Sequence, residues 1–221
     1  MMGWRALGVV LLFSCGAAAA PASEGAGGEG TPSSEEAPSY GHGRQFGLRA
    51  GLTGGYRMAF RYASSPYCSA PDPAKSEKDQ QKFCGFSAPL ALDLAASFAI
   101  LDGLEPFLWG RFGLQEEPKT DTEPLLLVGV GTRIYTMSDS AFKIFLEPAI
   151  GYELEGSRGT LRAPFDTKDY KQDFVFHLAA GPEYDFSKYA GVYLDAGLTT
   201  GVVRAINSTM ELTVGLQFRA P

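Results

Sequence analysis

The sequence predicts an all-β chain, an eight-stranded antiparallel up-and-down transmembrane barrel, and three observations carry that prediction. From Arg44 onward the chain divides into eight segments in which apolar residues alternate with polar or small ones, the period-2 pattern of strands with two unlike faces. The first of them, Arg44–Tyr62, keeps its alternation far beyond the about 5–6 residues of an ordinary strand, and a tilted bilayer crossing takes about 9–11. The connections run long, short, long, short, the rhythm of a membrane barrel with long loops on one side and tight turns on the other.

In the first segment Phe46, Leu48, Ala50, Leu52, Gly54, Tyr56, Met58, Phe60 and Tyr62 share one face, opposed by a face rich in Gly and Arg that includes Arg49 and Arg57. Segments 85–100 and 105–115 flank a tight turn at Leu101-Asp102-Gly103, where Gly103 suits a left-handed backbone position. The next pair, 123–137 and 142–156, flanks Asp139-Ser140-Ala141; 172–186 and 189–203 flank Ser187-Lys188; 208–219 closes the set. An even strand count with all neighbours antiparallel brings both ends of the barrel to one side.

The two faces decide where the chain resides. A soluble eight-stranded carrier points its apolar face inward, whereas a membrane barrel points it at lipid. Here the polar face is poor in Lys and rich in Gly, Ala and Arg, the composition of a crowded lumen. The apolar face carries aromatic residues near both ends. Phe46, Phe98, Phe142, Tyr184, Phe186 and Phe218 are expected to form one belt, and Phe60, Phe86, Phe112, Tyr152 and Phe174 the other.

Closing the tight turns sets the register and places Asp93 opposite Arg111 and Arg133 opposite Glu147, opposite charges on the inward face. Buried charges require partners. The expected luminal charge network is Arg49, Arg57, Asp93, Arg111, Arg133, Glu147, Glu153, His177, Glu183, Asp195 and Glu211. His177, expected above Glu183, reads as a partnered luminal side chain: no Gly-x-Ser-x-Gly is present, and no serine is placed beside it. Metal-ligand spacing is lacking, and no cofactor is expected. An eight-stranded interior is just wide enough for side chains to fill, so the lumen is expected to be plugged.

The net charge of −6 and pI near 5.0 argue against a nucleic-acid partner, which needs a basic face. Met1–Ala22 has the charge, short apolar core and Ala-Pro-Ala end of a secretory signal. A second reading stands beside it: Leu12-Phe13-Ser14-Cys15-Gly16 resembles a bacterial lipobox, which would make Cys15 an acylated N-terminus. Residues 23–43, rich in Gly, Glu, Ser and Pro, are expected to be a disordered periplasmic leader. Removing the signal leaves Cys68 and Cys84, an even count that reads as one disulfide closing an exposed loop, worth ~3 kcal/mol on chain-entropy grounds.

Over Arg44–Ala220 the chain resembles the small eight-stranded outer-membrane barrels of Gram-negative bacteria, the OmpA/OmpX-like class. The last strand resembles the insertion signal of that family, with Thr213, Gly215, Phe218 and Ala220 on its pattern, although the chain ends Arg219-Ala220-Pro221 where the family ends in an aromatic residue. The resemblance implies residence in the bacterial outer membrane with both termini periplasmic, and outer-membrane lipid and the barrel-insertion machinery as partners. It implies a structural or surface-interaction role, with the loop 63–84 open to recognition. Two alternatives are a narrow porin-like channel and a lipid A-modifying barrel enzyme, since some barrels of this size are lipid A hydrolases or acyltransferases. No external ligand is indicated.

Overall fold

In the computed structural model, residues 40–60, 72–115, 125–155, 171–203 and 206–221 are described. The signal, Cys15, residues 23–39 and Cys68 lie outside them. Eight strands, β1 (Phe46–Phe60), β2 (Phe83–Phe98), β3 (Leu104–Gly113), β4 (Leu126–Thr136), β5 (Phe142–Glu155), β6 (Lys171–Ser187), β7 (Ala190–Gly201) and β8 (Ile206–Ala220), form a closed barrel in sequence order. Every neighbouring pair is antiparallel, and β8 closes on β1. Phe46 pairs with Ala220, so both ends of the barrel sequence sit at one end of the barrel.

The register fixes the barrel's width. From Arg49 the pairing runs through Ala95, Trp109, Gly129, Gly151, Val175, Gly201 and Asn207, and returns to β1 at Ala59, ten residues on. Eight strands with that shear tilt about 40° from the axis and leave only side-chain room inside. Gly131 shows how little: a Cβ there would overlap the Phe107 ring, the Ala149 methyl and the Pro148 carbonyl. Pro148 also has no N–H to give, and the β4–β5 ladder skips Thr132 opposite it and Arg133 opposite Glu147.

Facing follows the alternation. Leu108 is 64% exposed and its neighbour Trp109 6%. The outer surface is a continuous apolar band, with Leu48, Leu94, Val130, Leu146, Leu178, Leu194 and Val214 all outward. The belt of Phe46, Phe98, Phe142, Tyr184, Phe186 and Phe218 is exposed as expected. At the opposite end the outward rings are Tyr56, Phe60, Phe112, Phe174 and Phe176, with Tyr152 half-buried among them. Phe46 to Tyr56 on one strand spans about 25 Å along the axis at this rise and tilt, the height of the hydrocarbon band of an outer-membrane barrel.

Phe86 departs from expectation: it points into the lumen and is 7% exposed. The cause is a β-bulge. Thr53 pairs with Ala91 but Gly55 with Ala88, so Pro89 and Leu90 together face Gly54. One extra residue exchanges the faces of everything beyond it, turning Phe86 inward and Ser87 outward. Phe83 takes the outer position and packs on Phe60, ring centroids 5.2 Å apart.

Two further expectations are corrected. Gly103 is not in the left-handed region; among the described non-glycine residues Met137, at φ 56° in the β4–β5 turn, and Arg44, at φ 65° before β1, adopt it. Tyr40–Gly43, expected within the leader, pack with Arg44 into the mouth of the barrel. Arg44 N donates to Ala99 O at 2.7 Å, and Gly43 N to Asp102 Oδ1 at 2.6 Å. Lys143 Nζ donates to Tyr40 O at 2.9 Å, and His42 is 1% exposed. Fully buried Lys143 needs acceptors, and this segment supplies one.

Candidate functional site

The inward side chains form three layers. The first lies at the end where both termini meet, and Glu183, fully buried, is its hub. Arg49 pairs with it closely, Arg219 Nη2 donates at 3.0 Å, Gln217 Nε2 at 2.5 Å, and the Tyr135 hydroxyl lies at 3.1 Å. Glu105 takes Arg133 Nη1 at 2.9 Å and Arg219 Nη2 at 3.4 Å, while Glu147 pairs closely with Arg133. Lys143 and Asp185 join at 2.5 Å. Rings fill what remains: the Arg49 guanidinium lies over Phe145 and Tyr193, and that of Arg133 over Phe107, a cation–π arrangement favoured in dry surroundings.

Arg111 organises the middle layer. Its Nε and Nη2 donate to the two oxygens of Asp93 at 2.7 Å each, and its Nη1 and Nη2 to Glu211 at 2.6 and 2.9 Å. One fork-shaped cation on β3 thus satisfies two carboxylates, one from the adjacent β2 and one from β8. His177 Nδ1 lies 2.9 Å from Thr199 Oγ1 and 3.1 Å from Glu211 Oε1, with its ring against Trp109. Thr53 Oγ1 donates to Asp93 at 2.9 Å.

The third layer mixes polar and apolar side chains. Arg57 reaches Thr209 at 3.1 Å and Glu153 at 3.5 Å. Asp173 accepts from the N–H groups of Val202 and Val203 and from Asn207, pinning the start of the β7–β8 connection. Phe86, Leu125, Leu127 and Val175 are buried among them, Phe86 paired to Arg57 and Leu127 to Glu153. Two small cavities separate the layers. Each offers about 20 Å³ to the centre of a water molecule, room for a single water.

Both expected cross-strand pairs, Asp93–Arg111 and Arg133–Glu147, are therefore formed. His177 partners Thr199 and Glu211 instead of Glu183. Asp195 lies opposite Thr213, its hydrogen-bond donor, and makes no ion pair among the described residues. Glu105, Lys143, Asp185 and Arg219 enter the network without having been singled out, although the inward parity of their strands includes them. Of the insertion-signal positions, Thr213 points inward and Phe218 outward. Cys84, at the start of β2, is disulfide-bonded. No group of three His, Cys, Asp or Glu among the described residues is placed to hold a metal.

His42 lies below the spanning segments. Burial, with Arg219 and Lys143 nearby, lowers its pKa from 6.5 to about 3. Nδ1 faces Lys143 Nζ at 3.2 Å, so the imidazole sits there as a neutral acceptor. The unfolded chain binds this proton below about pH 6.5 and the folded one only near pH 3, so stability is whole above that range and declines as pH falls through it. The denaturation midpoint is expected to drop between pH 7 and 4 more steeply in the native chain than in His42→Asn. Parallel curves would contradict the buried neutral ring.

No protein-family model and no curated relative matches the chain. Solved structures do. Neisserial surface protein A is 12% identical with a TM-score of 0.52, covering 78% of this chain and 96% of its own. Outer membrane protein OprG from Pseudomonas aeruginosa is 14% identical with a TM-score of 0.51, covering 82% and 99%. At such identities the likeness is one of fold. An apolar exterior the height of a hydrocarbon layer, a lumen of paired charges and this topology together give the chain the fold of the small eight-stranded outer-membrane β-barrels.

Proposed function

We propose that the protein is an outer-membrane barrel with a structural or surface-interaction role and a lumen that does not conduct, both chain ends facing the periplasm. The layered ion pairs carry this reading. Three successive layers cross the interior, and the two small cavities described between them each have room for a water. An ion passing Arg111 would have to displace a bidentate contact on each side. His177 supports a non-catalytic reading: it is buried and enclosed by Trp109, Thr199 and Glu211, away from the lipid face where an acyl substrate lies. Recognition then belongs to the long-loop end.

Planar-bilayer recording of the refolded protein tests the sealed lumen. The expected result is a quiet baseline. Steady conductance steps that vanish in Arg57→Ser or Glu153→Gln would establish the narrow channel instead. A lipid A mass spectrum that differs between cells with and without the protein would favour the enzyme.

A further inference from the structure

We propose that Tyr40–Gly43 is an acid-released strap: a proton on His42 frees this segment from the mouth of the barrel while β1–β8 stay closed. The first layer of ion pairs remains in place without the strap, so the proposal is independent of the sealed lumen.

Three features set the strap apart from the strands. Its pivot is strained. Arg44, between the strap and β1, holds φ at 65°, a left-handed backbone that persists at a long side chain only when the surroundings impose it. Its grip is on turns and side chains, not on a strand ladder. Gly43 N donates to the Asp102 carboxylate, Tyr40 N reaches Asp139 O at 3.4 Å, and Tyr40 O accepts from Lys143. Gly41 lies against the same two turns: a Cβ there would stand 2.9 Å from Asp102 Oδ1 and 3.3 Å from Asp139 Oδ1. Its seam with the wall is also imperfect. His42 Nε2, Gln45 Oε1 and Arg219 Nη1 are buried there without a hydrogen bond, a costly condition that folded proteins mostly avoid.

His42 is the trigger. Its ring packs edge-on against Tyr135, centroids 4.7 Å apart. Nδ1 faces the Lys143 ammonium at 3.2 Å, and Nε2 lies 3.6 Å from Glu105 Oε2, beyond hydrogen-bond reach. An ammonium only donates, so Nδ1 must stay bare to accept from it. A proton added there would set N–H against N–H and put a second positive charge beside Lys143.

The other groups around the ring do not offset this. Burial disfavours the charge, Arg219, Lys143 and Arg49 repel it, and Glu105 alone attracts it. Glu105 is already held by Arg133 and Arg219, and Asp185 is engaged with Lys143. With the strap out in water the imidazole ionises near its ordinary 6.5, against about 3 in place. Closing the strap therefore expels a proton, and acid reverses the step. The ratio of closed to open strap falls about tenfold for each pH unit across that interval. Local opening of this kind breaks no strand ladder.

Hydrogen exchange read by mass spectrometry tests the strap on the full refolded chain in detergent micelles. Rates are taken from about pH 7.5 to 4 and corrected for intrinsic exchange at each pH. Protection of Tyr40–Arg44 is expected to fall about tenfold per pH unit below about pH 6.5, while protection across β1–β8 changes far less. In His42→Asn, whose side-chain oxygen accepts from Lys143 without titrating, the fall should vanish. In His42→Arg the strap should be unprotected even at pH 7.5, with a heat-modifiability gel showing that the barrel has folded. Three results would overturn the proposal. They are protection that holds as the pH drops, an equal fall in His42→Asn, which would place the titration in Asp102 or Asp139, and a fall shared by the strands, which would be global unfolding. Protection retained in folded His42→Arg would overturn it too. The native pH series uses no variant and decides alone if either substitution prevents folding.

Discussion

Arg111→Met is expected to destabilise the folded barrel by about 3–5 kcal/mol, the usual cost of removing one member of a buried ion cluster. The loss arises from Asp93 and Glu211, left as two carboxylates in the lumen with their shared cation gone. Arg111 is 4% exposed and Glu211 5%, so water cannot substitute without opening the layer. Adding Asp93→Asn and Glu211→Gln to Arg111→Met should recover most of the loss, because neutral amides can bond to one another and to Thr53 and Thr199. A refolding titration in denaturant reads both. A single-variant loss of about 1 kcal/mol or less, as at exposed ion pairs, would mean that the lumen is hydrated and the seal is not one.

Leu108→Arg carries the other large effect. Leu108 lies four residues from the inner end of β3 at Leu104 and four from Phe112 of the far aromatic belt, which puts it at the middle of the apolar band. Its side chain is 64% exposed, and all of that exposure is to lipid. A cation there is expected to cost ~2–4 kcal/mol, falling towards the interfaces. A change within about 0.5 kcal/mol, the norm for a water-exposed surface position, would show that this face meets water.

The faces and the turn-coupled pairs were legible in the sequence because both are local. Alternation needs only neighbouring residues, and a tight turn places Asp93 against Arg111 by counting nine residues each way from Asp102. Pairs that cross the barrel were not legible. Arg49 with Glu183 joins β1 to β6, and Arg111 with Glu211 joins β3 to β8; closure and shear set those distances, and no local pattern encodes them. The bulge was hidden for a different reason. Ala88, Pro89, Leu90 and Ala91 are all small or apolar, so the alternation is degenerate where the extra residue enters, and Phe86 was assigned to lipid. His42 lies outside every alternating segment, with no period to show that it is buried.

Fluorescence quenching by lipids brominated near the bilayer centre measures which face of the barrel touches lipid. In a Trp4→Phe background, Trp109 is the remaining tryptophan; Leu108→Trp with Trp109→Phe moves it one residue along the same strand. Strong quenching of the tryptophan at position 108 and little at position 109 is the expected result. The reverse, with Trp109 quenched and position 108 shielded, would contradict an exterior of oily side chains around a core of paired charges.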